Sequence, residues 1–286
     1  MNLHLRDYLN LTKPSIMLLV VVTGATSLIV EGSLLSDPFR FFLVLLGLYL
    51  TGGCANALNQ YFERDVDAQM SRTSKRRPLP QGKLTPYQAL TFSILIGTAG
   101  TLLFGFYFNW LTAGLALSTI IFYGFFYTLW LKPNTDQNIV IGGVAGAMAP
   151  VGAWTAATGS FSITPWILFA IIFFWTPPHF WSLAMFCKDD YVKVGYPMLP
   201  VAQGDAATLN QIFYYSLMLF AITMSLLTVE FGFLYLAVSL ILGGLFVKKA
   251  FDVRNDSSPQ RLRGLFGYSI VYLFALFITI AVEGII

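Results

Sequence analysis

The chain has 286 residues, of which 56% are hydrophobic and only 11% charged, with a mean hydropathy of +0.69. That excludes a soluble globule; the 17 basic and 14 acidic residues fall in clusters between apolar stretches long enough to cross a bilayer as helices, which excludes a disordered chain as well. The small positive excess carries no nucleic-acid signal, because in a membrane chain it reports which loops stay in the cytoplasm.

The expected class is an all-α polytopic membrane protein forming a single domain over residues 1–286. Arg6, Asp7 and Lys13 precede the apolar run 14–30. No small-residue cleavage site of the A-x-A kind closes that run and further apolar segments follow, so it is retained as a first span rather than a signal peptide. His4 is expected on the surface of the N-terminal segment. One crossing needs about 20 apolar residues, and the runs that approach this length are 14–30, 39–58, 89–107, 110–130, 139–158, 164–186, 211–229, 231–247 and 265–283. Asn109 alone separates the third from the fourth, and Glu230 with Gly232 marks the break between the seventh and eighth.

With the N-terminus in the cytoplasm, all but Arg40 of the 17 basic residues fall on the cytoplasmic side. A miscounted span would invert every later loop and destroy that pattern, so the count of nine and the charge rule support each other. The expected orientation is N-in and C-out in the cell membrane. Most acidic residues share the basic side, above all in Glu63, Asp65 and Asp67 after span two and in Asp189 and Asp190 after span six. Clusters four helices apart point to an old internal repeat. Cys54 and Cys187 lie in or beside apolar segments without a CxxC or zinc spacing, which supports neither a disulfide nor a cysteine metal site.

Span two runs without a proline into Asn56, Asn59, Glu63 and Asp67. Asn59, Glu63 and Asp67 are spaced i, i+4, i+8 and so line one helical face at the membrane surface, with Asp65 off the stripe. Such oxygens suit a hard divalent cation; Mg2+ is held by one or two carboxylates and completes its shell with water and substrate phosphate. The following segment, residues 72 to 84, brings Arg72, Lys75, Arg76, Arg77 and Lys83, side chains that clamp phosphate oxygens. Taken alone, the basic run reads as a topology signal. The acidic stripe does not, because polar groups emerging from an apolar helix on one face are costly unless they act.

These residues resemble the first aspartate-rich motif, N-x-x-x-D-x-x-x-D, of the intramembrane (UbiA-type) prenyltransferase superfamily, here Asn59, Glu63 and Asp67 followed by Met70, Arg72, Thr73 and Arg77-Pro78-Leu79. Residues 127 to 159 and 175 to 201 are similar to segments typical of one branch, the protohaem IX farnesyltransferases, and the likeness extends over nearly the whole chain. The resemblance implies nine helices around a central cavity. It implies transfer of farnesyl from farnesyl diphosphate to a vinyl group of haem b, with release of diphosphate and Mg2+ held by Asn59, Glu63 and Asp67. Two departures stand out: Glu63 replaces the usual Asp, and an extra residue between Thr73 and Pro78 leaves either Arg76 or Arg77 in the usual arginine position. Where quinone-type relatives carry a second D-x-x-x-D, this chain has His179, Cys187 and, farther on, Asp190.

Ionising an allylic diphosphate separates a carbocation from a trianionic leaving group, so it needs preorganised positive charge and a shielded apolar cavity. Arg72, with Lys75, Arg76, Arg77, Lys132, Lys188 and Asp190, is the candidate substrate-binding set. Tyr123 and Tyr127, one turn apart before Lys132, are the aromatic candidates for a cation or a porphyrin face. His179, in Trp175-Thr176-Pro177-Pro178-His179-Phe180, lies where two prolines are expected to open the backbone around a cavity. It is assigned to the haem as axial ligand or as proton donor during hydration of the alkylated vinyl group. Two other readings remain: a quinone or chlorin prenyltransferase of the same fold, which needs the second acidic motif, and a transporter, which needs a midplane ion site. The sequence fixes no oligomeric state.

Overall fold

The computed structural model describes residues 5–229 and 232–286, so His4 and Glu230 lie outside the described residues. A short helix, α1 (Leu5–Leu11), lies before the first span, whose N-cap is Lys13 with a left-handed backbone at φ 54°. Then come α2 (Pro14–Glu31), α3 (Pro38–Phe62), the short α4 (Arg64–Gln69) and α5 (Ser71–Ser74), α6 (Pro86–Tyr107) and α7 (Trp110–Ile121). The last continues as a π-helix over Phe122–Leu131 and closes with the single turn α8 (Lys132–Asn134). The second half holds α9 (Asn138–Ala147), α10 (Ala149–Thr158), α11 (Ile163–Phe186), α12 (Lys188–Lys193), α13 (Leu199–Ala202), α14 (Gly204–Ser225), α15 (Phe233–Asn255) and α16 (Pro259–Glu283).

Among the described residues, nine helices are long and apolar enough to cross a membrane, and they coincide with the nine apolar runs. Several extend past the runs: the seventh begins at Gly204 rather than 211 and the ninth at Pro259 rather than 265. The added turns are polar, which a helix tolerates where it leaves the hydrocarbon. Proline starts many of them, at the position where its missing N–H costs nothing. Inside α11, Pro177 and Pro178 do not break the helix; they remove two N–H donors while the run stays helical, so the expected opening of the backbone is not seen.

Sequential spans pack on each other, and α16 returns to pack on α2, joining the two ends of the chain. Hydroxyls inside the bundle are satisfied locally: Thr51 donates to the Gly47 carbonyl at 2.8 Å, Ser93 to Ala89 at 2.7 Å and Thr223 to Leu219 at 2.8 Å. Other polar groups tie helices together, as Ser27 Oγ does to the Pro150 carbonyl at 2.7 Å and Trp175 Nε1 to the Ser269 carbonyl at 2.7 Å. Lipid cannot supply these partners, so the protein must. An apolar cavity lies between α2, α3, α7 and the α9–α10 junction, lined by Val20, Leu48, Phe104, Ile120 and Met148.

Candidate active site

The acidic stripe survives the end of span two. α3 stops at Phe62, yet the Glu63 N–H donates to the Asn59 carbonyl at 3.0 Å and the Asp67 N–H to the Glu63 carbonyl at 2.8 Å. The i to i+4 relation therefore continues through the junction with α4, and Asn59, Glu63 and Asp67 are all buried at 3% exposure or less. Asp65 points away and pairs with Arg64 at 3.6 Å on the surface, as the spacing requires.

Three cations converge on the stripe from different elements. Lys13 Nζ donates to Asn59 Oδ1 at 2.8 Å. Lys132 Nζ lies 2.5 Å from Glu63 Oε1. Arg77 Nη1 lies 3.3 Å from Glu63 Oε2 and also pairs with Asp67 Oδ2. Burial pushes the Glu63 carboxyl up, but Lys132, Arg77 and Lys13 together outweigh it and hold the group at about 2. For Asp67 burial prevails over Arg77 and the shift is upward. Burial, reinforced by Arg77, lowers the Lys13 ammonium well below the ordinary lysine range. Three cations against two carboxylates leave one surplus positive charge.

The π-helix sets the far wall. Its wider turn directs Thr128 Oγ1 to the Tyr123 carbonyl five residues back at 2.7 Å, and the same oxygen accepts from Asn59 Nδ2 at 3.1 Å. Lys132 follows at its end. Tyr123 and Tyr127 stack with centroids 4.9 Å apart, and Tyr127 lies so close to α9 that a Cβ at Gly142 would sit 2.4 Å from its ring. Only glycine admits that approach. The Lys132 ammonium also stands 5.1 Å from the Tyr196 ring centroid.

Asn59, Glu63, Asp67, Arg77, Tyr123, Tyr127 and Lys132 are thus brought together. Arg72 lies on α5, its Nε buried without a hydrogen-bond partner among the described residues, a donor suited to an anion. Lys75 and Arg76 are exposed and line a separate cleft with Arg6 and Lys83, so Arg77 is the arginine that reaches the acids. Lys188 pairs with Asp205 at 2.7 Å on the surface. Asp190 meets the loop after span two: its oxygens accept from the Ser71 N–H at 3.0 Å, the Ser71 hydroxyl at 2.8 Å and the Arg72 N–H at 3.1 Å. It docks α12 onto the start of α5. These bonds, against the pull of its partial burial, lower the Asp190 pKa.

His179 occupies a second layer, two turns inside the end of α11. Its ring is sandwiched between Trp175 at 4.3 Å and Phe266 at 4.6 Å, and Nδ1 lies 2.6 Å from Ser269 Oγ. The Ser269 hydroxyl donates to the Phe266 carbonyl at 2.6 Å, so the proton between ring and hydroxyl resides on Nδ1. Nε2 is the other ring nitrogen, which can serve either as a ligand or in proton transfer.

Charge counting alone treats Lys13 as a topology residue, and apolar counting overlooks Thr128 and Ser269. For Lys13 a signal exists: a cation directly before the proline that opens a span stands at the mouth of the bundle. Its left-handed backbone is a strained conformation of the kind found where a side chain must be aimed.

A family model, the UbiA prenyltransferase family, matches residues 18–278. The chain belongs to that family. Among similar UbiA-type sequences, a protein named protoheme IX farnesyltransferase from Synechocystis sp. is 44% identical, over 98% of this chain and 89% of the relative. One of the same name from Rhodopseudomonas palustris strain HaA2 is 45% identical over 97% and 90%. The fold agrees with solved members: a digeranylgeranylglyceryl phosphate synthase has a TM-score of 0.80 at 17% identity, covering 98% of both chains. A UbiA homologue from Archaeoglobus fulgidus bound to GPP and Mg2+ has 0.67 at 16%, covering 98% and 99%.

Proposed function

We propose that this chain transfers the farnesyl group of farnesyl diphosphate to a vinyl group of protohaem IX, releasing diphosphate. The observation that carries the chemistry is the convergence of Lys13, Arg77 and Lys132 on a buried stripe of two carboxylates and an amide. The acceptor rests on the two relatives and on His179 in place of a second acidic motif.

The stripe fits Mg2+. No group of three or more His, Cys, Asp or Glu side chains suited to a metal occurs among the described residues, but Mg2+ takes one or two carboxylates and draws its remaining ligands from water and phosphate. One guanidinium nitrogen touches both Glu63 and Asp67, so the two are close enough to share a cation. Asn59, Glu63 and Asp67 would hold the metal, which supplies positive charge to the departing diphosphate. A trianionic diphosphate with one Mg2+ brings one net negative charge, opposite in sign to the surplus of the site.

Binding then releases Arg77 and Lys132 from the carboxylates toward phosphate oxygens, joined by Arg72. As the C–O bond breaks, the electron pair leaves with the diphosphate and the allylic cation faces the π-surfaces of Tyr123 and Tyr127. The vinyl group of the haem supplies the electrons for the new C–C bond. Water adds to the resulting porphyrin-side cation, and one proton is lost. His179 holds the haem from its own layer, with Nδ1–H fixed by Ser269 and the Nε2 lone pair available to iron; a buttressed second nitrogen is how ligating imidazoles are oriented. The distribution of basic residues supports an N-in, C-out chain in the cell membrane with the diphosphate site on the cytoplasmic face.

The test is the pigment of cells that overproduce the chain. A haem enlarged by one farnesyl group and one hydroxyl is expected; accumulation of a prenylated quinone precursor with unmodified haem b would overturn the acceptor.

A further inference from the structure

The residues before Arg77 face the other way. Lys75 and Arg76 come together with Lys83 from the same loop and with Arg6, Asp7 and Asn10 from α1, around a cleft of about 470 Å³. Four cations surround it against one carboxylate, and none of the four forms an ion pair among the described residues. A topology signal requires only that such charges lie on one side of the membrane. It does not require two segments far apart in sequence to converge on one cleft.

The cleft is fixed in place. Gln60 Nε2 donates to the carbonyls of Asn10 and Leu11, both at 3.0 Å, and Asn56 Nδ2 to that of Thr12 at 3.2 Å. Leu11 packs with Ala57, Leu84 and Ala89. On its other face α1 exposes Leu5 at 74% and Leu9 at 45%, one turn apart. An apolar stripe beside a cationic cleft, directly before the first span, is the pattern of a helix lying in the interfacial plane of a bilayer.

We propose that this cleft binds the headgroup of an anionic phospholipid, its phosphodiester held by Arg6, Lys75, Arg76 and Lys83 and its acyl chains beside Leu5 and Leu9. The four cations match an anionic headgroup, and the exposed leucines match the hydrocarbon attached to it, which a soluble phosphate lacks. This site is distinct from the diphosphate site, since Arg77 of the same loop is committed to Glu63 and Asp67.

The chain purified in detergent is titrated with dioleoylphosphatidylglycerol or dioleoylphosphatidylcholine, and retained lipid is counted by native mass spectrometry. Phosphatidylglycerol is expected to be retained about tenfold more tightly than phosphatidylcholine. Arg6→Gln/Lys83→Gln should abolish the preference, Arg6→Lys/Lys83→Arg should keep it, and millimolar inorganic phosphate should not displace the lipid. Where the double variant does not fold, Arg6→Gln alone, at an exposed side chain, should lose part of the preference. Equal retention of the two lipids, or equal preference in wild type and neutralised variant, would overturn the proposal and leave these charges a topology role only. Displacement by millimolar phosphate would also overturn it, in favour of a soluble anion.

Discussion

Glu63 shows how much work the cations around the stripe perform. A carboxyl this deeply buried would ordinarily be protonated, yet Lys132, Arg77 and Lys13 hold it at about 2. Because that is below its usual 4.5, the ionised group contributes stability that is fully present above pH 4.5 and is lost as the pH falls through about 2. Lys132→Met leaves the burial and removes the 2.5 Å partner, so the Glu63 pKa must rise. The variant should be less stable than wild type by about 3 kcal/mol at pH 7, and the gap should narrow at pH 4, where Glu63 can take a proton. Thermal unfolding in detergent at the two pH values checks this; a gap independent of pH would contradict it. His179→Ala should lose haem binding while keeping affinity for a non-hydrolysable farnesyl diphosphate analogue. Titration of each ligand separates the two layers of the site, and loss of both together would place His179 at the diphosphate instead.

The π-helix is the element on which the site depends most. Repeated i+5 geometry is rare, and π turns concentrate at functional sites. Here it presents Thr128 to Asn59 and Lys132 to Glu63 while Phe125 and Phe126 remain exposed on the outer face. Deleting Phe126 allows the segment to relax to an α-helix and turns Lys132 away from the stripe; displacement of about 1 Å at a reacting site costs about 100-fold. We expect kcat/KM to fall by that order with helix content and membrane insertion retained, as circular dichroism and fractionation would report. The span itself was legible from its apolar run, but its hydrogen-bond pattern was not, because a lipid-exposed aromatic stretch reads alike in α and π geometry. The stripe was legible, since i, i+4, i+8 spacing survives the change from α3 to α4. The roles of the basic loop were not: Lys75, Arg76 and Arg77 are identical in charge and consecutive in sequence, and only the turn from the Thr73 carbonyl to the Arg77 N–H at 2.9 Å sends the third inward.

At the scale of the molecule, the two loops that follow spans two and six meet. Asp190 of α12 grips the start of α5, which brings the second half of the chain onto the loop that carries Arg72 and Arg77. The paired acidic clusters were visible in the sequence, but the recipient of Asp190 was not, because a carboxylate that caps backbone N–H groups and one that binds metal look alike until the chain is folded. Asp190→Ala should cost about 1 kcal/mol of local stability, in the range of a lost helix cap. Limited proteolysis between residues 71 and 83 should quicken, with global unfolding little changed; an unchanged cleavage rate would deny the clamp.

The most direct measurement of the central claim uses the chain reconstituted in nanodiscs with haem b and farnesyl diphosphate, with and without Mg2+, the products being identified by mass. Wild type should convert haem b to a farnesylated, hydrated haem only when Mg2+ is present, and Glu63→Gln and Asp67→Asn should each lower the rate by about 100-fold or more. Undiminished farnesylation in either variant, or full turnover in the presence of a chelator, would contradict the assignment of the buried stripe as the metal and diphosphate site.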